Sequence, residues 1–393
     1  MGTLKERMKD IFGEDRIARV KNQILSYGDV KKIGEMLKEE KDIALIDKSF
    51  FYTYLNNCKI EDYNYLFAVS NAKPTLYGSV YACMIQSLLQ IENCEKEWCN
   101  FFNRYQRSDG IFFQENLNTP MYEEGEHWGA RHLAAHIIIP YAKEKKTPPY
   151  EFEFLKTYRN EDAIIKMLEE LDYRNVWRSS NKIMNIGVLL QYSRDFLGMD
   201  FYADTINTME DWLMSHINKA SGMWHDFPMR HKGDIYEAIR GAYHIYPLLL
   251  YDNKKIQFAE KIIDLILRSQ NIWGGFDFVV QSGACADIDA IDLLIRMYAV
   301  SNYREDDVKT ALKKAYRWII CNQGTGGGLM FSYNMQFQYG DCKYLKSNRM
   351  ESNMLGTWFR LLCLLYIREV LFDEKWIFSK IPGYELCIER NGN

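Results

Sequence analysis

The chain has 393 residues, 47% of them hydrophobic and 26% charged, which is ample for a large buried core. A net charge of -4 excludes bulk attraction to nucleic acid or anionic membrane. Nine cysteines form an odd set without a C-x-x-C pair, and Cys94 and Cys99 are badly spaced for a metal knuckle, so reduced thiols and a cytoplasmic location are expected.

The N-terminal stretch, MGTLKERMKDIFGEDRIARV, is charged and amphipathic and lacks the apolar core of a signal peptide. Residues 1–60 are expected to give a helical extension and a first outer helix, as one unit with 61–393. Apolar runs such as Tyr243–Tyr251 and Leu361–Ile367 are too short to span a bilayer. Few prolines and many apolar-periodic stretches predict helices, and Pro148-Pro149 reads as an inter-helix loop.

Strongly apolar helices are predicted at 76–92, 127–142, 181–194, 236–251, 287–299 and 352–368. Each has a small residue near its start: Gly78, Gly129, Gly187, Gly241, Ala290 and Gly356. Small residues let helices approach closely, as an inner ring requires. More polar helices intervene at Glu95–Tyr105, Asp204–Ile217, Lys254–Ser269 and Glu305–Cys321. A turn of the form Q/N-x-x-x-G-x-aromatic recurs at roughly fifty to sixty residues, the period of a helical repeat. Its copies are Gln106…Gly110-Ile-Phe112, Asn218…Gly222-Met-Trp224, Gln270…Gly274-Gly-Phe276 and, more weakly, Gln323…Gly327-Gly-Leu329. The predicted fold is an all-α (α/α)6 toroid with all inner N-termini at one mouth, where helix dipoles favour an anionic group.

Polar side chains gather at those helix starts. They are Glu126, His127, Arg131 and His132; Asn181 and Asn185; Glu237, Arg240 and His244; Asp287, Asp289 and Asp292; and Glu351 and Asn353. Singly, each reads as a cap or a local pair. On five helices at once they predict a polar cavity. His132 and His136 are one turn apart, but the acid of an H-E-x-x-H motif is absent, so satisfied buried histidines are expected there rather than a metal. No phosphate loop, dinucleotide fingerprint, serine elbow or nucleic-acid module is visible, and no cofactor is expected.

The repeated turns resemble the QW repeats of squalene and other terpenoid cyclases, a family whose toroid is shared by protein prenyltransferase β subunits. GGFDF followed by Asp287-Ile-Asp289 resembles the acid motif of class II cyclases. The resemblance implies a protonation-initiated isoprenoid cyclase with Asp289 as general acid and Asp287 as its supporting carboxylate. Ala290 stands where the family has a further Asp, and Asp292, one turn on, would take its place. The prenyltransferase zinc site is not expected, because no histidine follows His244.

The phrases SDGIFFQ (108–114) and SGMWHDF (221–227) resemble turns of six-hairpin glycosidases, uronyl hydrolases and sugar epimerases. On that alternative an acidic saccharide is the substrate. Arg131, Arg240 and the asparagines would suit it, Trp128, Trp224, Trp273 and Trp358 could stack on sugar rings, and Asp289 with Glu237 or Glu126 would supply carboxyls. A non-catalytic binding toroid is the third reading, and a homodimer is possible on any of them.

Overall fold

The computed structural model describes residues 27–38, 47–91, 96–123, 125–374 and 380–383. Cys94 and most of the N-terminal extension lie outside them. Six hairpins account for most of the described chain. Each pairs an outer helix with the inner helix that follows. The outer helices are α2 (Lys48–Cys58), α4 (Trp98–Asn103), α6 (Glu161–Glu169), α8 (Ala203–Ser215), α10 (Ala259–Ser269) and α12 (Glu305–Cys321). Their inner partners are α3 (Leu76–Leu89), α5 (Ala130–Glu144), α7 (Val176–Leu197), α9 (Lys232–Tyr251), α11 (Ala284–Ser301) and α13 (Met354–Phe372). A further helix, α1 (Tyr27–Lys38), packs on α12.

Each inner helix packs on the next, and α13 returns to pack on α3, so the ring closes as an (α/α)6 toroid. The reason lies in how apolar the inner helices are. In α3 every residue but Ser87 is buried, and a helix that is apolar all round needs neighbours on every side. Outer helices bury one stripe only, as α10 does with Ile262, Ile263 and Ile266. The small residues act as expected where α7 meets α9: a Cβ on Gly241 would lie 2.3 Å from Val176 Cγ2, and one on Gly187 2.7 Å from Leu248 Cδ1. Gly78 and Gly356 instead make room for non-helical backbone, the Tyr65 carbonyl (2.3 Å) and the Phe331 amide (2.7 Å).

Two of the repeated turns are clamps. Gln270 Nε2 donates to the Gly274 carbonyl (2.9 Å) and to that of Ala311 in α12 (2.8 Å). Gln106 likewise reaches the carbonyls of Gly110 (3.1 Å) and Tyr150 (2.9 Å). One glutamine thus closes its own turn and ties it to the next hairpin. Gly274 has φ +99°, a left-handed conformation that a side chain would strain. Phe112, Trp224 and Phe276 fold into the core.

Helix ends differ from the periodicity in places. α7 begins at Val176 rather than at 181, because Arg178, Ser179 and Ser180 interrupt the apolar signal after Val176 and Trp177. The long segment between α12 and α13 holds a two-stranded ribbon, β3 (Phe337–Gln338) with β4 (Lys346–Ser347), which periodicity did not reveal. A second short pair, β1 (Lys59–Glu61) and β2 (Asn64–Tyr65), precedes α3. No described helix is long and apolar enough to cross a membrane.

Candidate active site at the mouth of the ring

Tyr77 is the second residue of α3, and its hydroxyl is fully engaged. It accepts from the Gly129 amide (2.8 Å), donates to the Gly129 carbonyl (3.1 Å) and lies 3.0 Å from His132 Nδ1. On the other side of the same imidazole, the Tyr339 hydroxyl lies 3.2 Å from Nε2. Tyr339 follows β3, so the long segment before α13 lowers it onto α5. All bonds of Tyr77 are satisfied when Nδ1 carries the imidazole proton. Nε2 is then an acceptor for the Tyr339 O–H.

Burial first, then the charges of His136, His127 and His244, holds the His132 pKa well below the ordinary value. His136 and His244 are pushed down to about 3, in both cases chiefly by burial. His132 is on α5 and His244 on α9, the inner helices that pack on either side of α7. His244 Nδ1 is 3.0 Å from Ser180 Oγ on α7.

Beside this relay sits Glu126, immediately before α5. Arg131 Nη1 donates to its carboxylate (2.7 Å), as does Asn185 Nδ2 (3.1 Å), which also bonds the Glu126 carbonyl (2.6 Å). Burial raises the Glu126 pKa, while Arg131 and Asn185 oppose the rise. Asn185 is fully buried, and its Oδ1 has no partner among the described residues. The Arg240 guanidinium lies 4.1 Å from the Trp177 ring centre and donates to Glu237 (3.1 Å). His127 packs against the same indole at 5.5 Å. The polar side chains described here come mainly from α3, α5, α7 and α9.

The carboxyls of α11 differ from the expected acid group. Asp287 accepts from Arg360 Nη1 (2.8 Å), Trp318 Nε1 (3.0 Å), Ser282 Oγ and the Phe276 amide (3.1 Å). It is the counter-ion of a buried arginine on α13 rather than a support for Asp289. Asp292 is bound by Arg296 through two bonds (2.5 and 3.1 Å), the ordinary one-turn pair of a helix. Asp289 is buried on the same helix. Burial, then the charge of Asp287, raises the pKa of the Cys363 thiol on α13, while Arg360 opposes the rise.

Other candidates turn out to be local structure. Asn353 caps α13 through the Gly356 amide (2.8 Å). Glu351 holds the Ser70 and Asn348 amides (both 2.8 Å), fastening the two segments where the ring closes. Asn181 bonds the Trp177 carbonyl of its own helix (2.7 Å). Trp128 and Trp224 are buried, Trp273 stacks on Trp318 (5.9 Å), and Trp358 stacks on Tyr81 (5.2 Å). These rings are packing, and a buried ring offers no face to a ligand at the mouth. Sequence reasoning missed Tyr77, Trp177, Ser180 and Tyr339. The first three are buried or half-buried residues within apolar helices, and Tyr339 sits in a segment without periodicity.

Both nitrogens of His132 are taken by tyrosyl hydroxyls, and His136 Nδ1 lies 2.7 Å from the His132 carbonyl. Among the described residues no group of three His, Cys, Asp or Glu is arranged to hold a metal ion.

No family model matches the chain, and no curated protein matches it. Among solved structures it is similar to a polysaccharide lyase at 10% identity, over 88% of this chain and 100% of that one, with a TM-score of 0.47.

Proposed function

We propose that the protein is a glycan-active enzyme that cleaves a uronate-containing saccharide by β-elimination. The observation that carries this reading is the buried, neutral His132 held between the hydroxyls of Tyr77 and Tyr339. A neutral imidazole accepting from a half-exposed tyrosine is a proton-transfer pair. The Tyr339 oxygen takes the proton at C5 of the uronate while its own proton passes to His132 Nε2. The C5 electron pair forms the C4=C5 double bond as the C4–O glycosidic bond breaks. The proton then returns through Tyr339 to the leaving oxygen, and both side chains are restored.

The C5 proton is acidic only when the adjacent carboxylate is neutralised. Arg131, the residue before His132, and the Asn185 amide both hold Glu126, so a substrate carboxylate would share these donors with Glu126, and the inner helix N-termini face the same mouth. Hydrolysis would instead need two carboxyls flanking the bond. Here Glu126 is bound by Arg131 and Glu237 by Arg240. The isoprenoid cyclase reading draws less support, because Asp287 and Asp292 are each committed to an arginine of their own.

The test is incubation of the purified protein with a panel of uronate polymers, read by the ultraviolet absorbance of the new unsaturated uronate. Thermal shift with isoprenyl diphosphates and squalene-like lipids runs in parallel. Unsaturated product from any uronate polymer supports the elimination reading. A shift with isoprenoids, and no product from the polymers, would return the site to the cyclase reading.

A further inference from the structure

A cavity of about 580 Å³ opens on the rim of the mouth, between the segment before α7 and the turn before α9. One wall is a stack of rings. Trp212 lies 3.8 Å from the His216 imidazole with planes at 12°, and 6.1 Å from Tyr173 at 28°. Asp226 and Arg174 stand at the lip, and Asp172 orients Arg174 through its Nε (2.9 Å). The floor is fixed as well. Trp224 Nε1 donates to the Leu213 carbonyl (2.8 Å), and the His225 ring is held between Ser221 Oγ (2.9 Å) and the Phe227 carbonyl (2.8 Å). A backbone bond from the Asp226 amide to the Tyr173 carbonyl (3.0 Å) joins the two segments, so the cavity is preformed.

Its position links it to the mouth. Tyr173 opens the short 3-10 turn Tyr173–Asn175 that leads into α7, and Trp177 is the second residue of that helix. Trp177 is the ring under Arg240 in the mouth. A glycan that extends from Trp177 past the start of α7 would reach the rim cavity, which Tyr173 and Arg174 line.

We propose that this cavity is a second binding site, which takes a neutral sugar unit of the glycan. The inference takes its ligand class from the glycan reading of the mouth and its location from the geometry here. An aromatic shelf with a few polar groups suits one apolar sugar face and its ring of hydroxyls. Two carboxylates, Asp172 and Asp226, against the single Arg174 make the lip net negative, which disfavours a uronate and leaves a neutral hexose.

The test is calorimetric titration of the full chain with neutral cello- and manno-oligosaccharides. The wild type should bind at least one of these series. Asp226→Ala and Trp212→Ala should each weaken that binding by about tenfold. Tyr339→Phe should bind as the wild type does, since it alters only the mouth. Asp226 is exposed, so its variant carries the test should Trp212→Ala fail to fold. No binding of neutral sugars by the wild type, or equal binding by both cavity variants, overturns the proposal. Elimination of uronate polymers is measured separately. Neutral-sugar binding that depends on Asp226 supports the cavity even where elimination is absent, and elimination without such binding sinks the cavity alone.

Discussion

The hydroxyl of Tyr77 and Nδ1 of His132 lie 3.0 Å apart, and the same hydroxyl is saturated by the Gly129 amide and carbonyl. A residue of α3 thereby sets the tautomer of a residue of α5, and so decides that Nε2 faces Tyr339 as a base. Tyr339→Phe should lower kcat by roughly 10²–10⁴-fold, the ordinary worth of a general acid or base, with Tm close to the wild type. An active Tyr339→Phe enzyme would remove tyrosine from the mechanism.

Tyr77→Phe should act on both stability and rate. It leaves a buried amide and a ring nitrogen without their partner, at a cost of about 1–3 kcal/mol each in the folded state. Denaturant midpoints and initial rates measured on the same preparation would show both losses. A loss of rate alone would mean that Tyr77 contacts the substrate.

The Asp287–Arg360 pair predicts a stability effect where the acid motif would predict a catalytic one. Both side chains are essentially without exposure, and Arg360 also binds the carbonyls of Met330, Ser282 and Phe331. Asp287→Asn leaves a buried guanidinium uncompensated and should destabilise by roughly 3–5 kcal/mol. Chemical denaturation checks this. Wild-type stability with abolished activity would restore Asp287 to the chemistry.

The buried histidines make stability depend on pH. Their folded pKa values are depressed, His136 and His244 to about 3, so the unfolded chain binds more protons below the ordinary histidine value near 6.5. Stability should be fully present above about pH 6.5 and fall as pH drops towards 3, by roughly 1 kcal/mol per pH unit for each histidine. Replacing His136 by Gln should flatten that slope. Activity, which needs neutral His132, should persist below pH 6.5 for as long as the protein stays folded.

The clamp glutamines are open to a simple check. Gln270→Ala removes two bonds, one to its own turn and one to α12, and should cost about 1–3 kcal/mol. Thermal unfolding of this variant beside one at an exposed glutamine would separate the clamp from a composition effect. Equal melting temperatures would show that the repeated turn has another purpose.

Much of the architecture was legible in the amino-acid order. Six apolar helices, six more polar ones and a recurrent glutamine–glycine turn are local patterns, and burial on all sides of an apolar helix has few solutions besides a closed ring. The small residues Gly187 and Gly241 announced the close approach of α7 and α9 that the fold contains. The gathering of Glu126, Arg131, His132, Asn185 and Arg240 at one mouth also followed, because alternating helices bring all inner N-termini to one end.

Partner choice was decided by the tertiary structure alone. Asp287 has the same chemistry as Asp289 and sits two residues away, yet Arg360, more than seventy positions later, turns it into a core ion pair. Tyr339 lies in a segment with no periodicity, and only the path of that segment over the ring brings its hydroxyl to His132. A hydrogen bond or ion pair between distant residues depends on where the backbone carries both groups. Composition and periodicity specify which groups must be buried, and the packing of the ring specifies which of them meet.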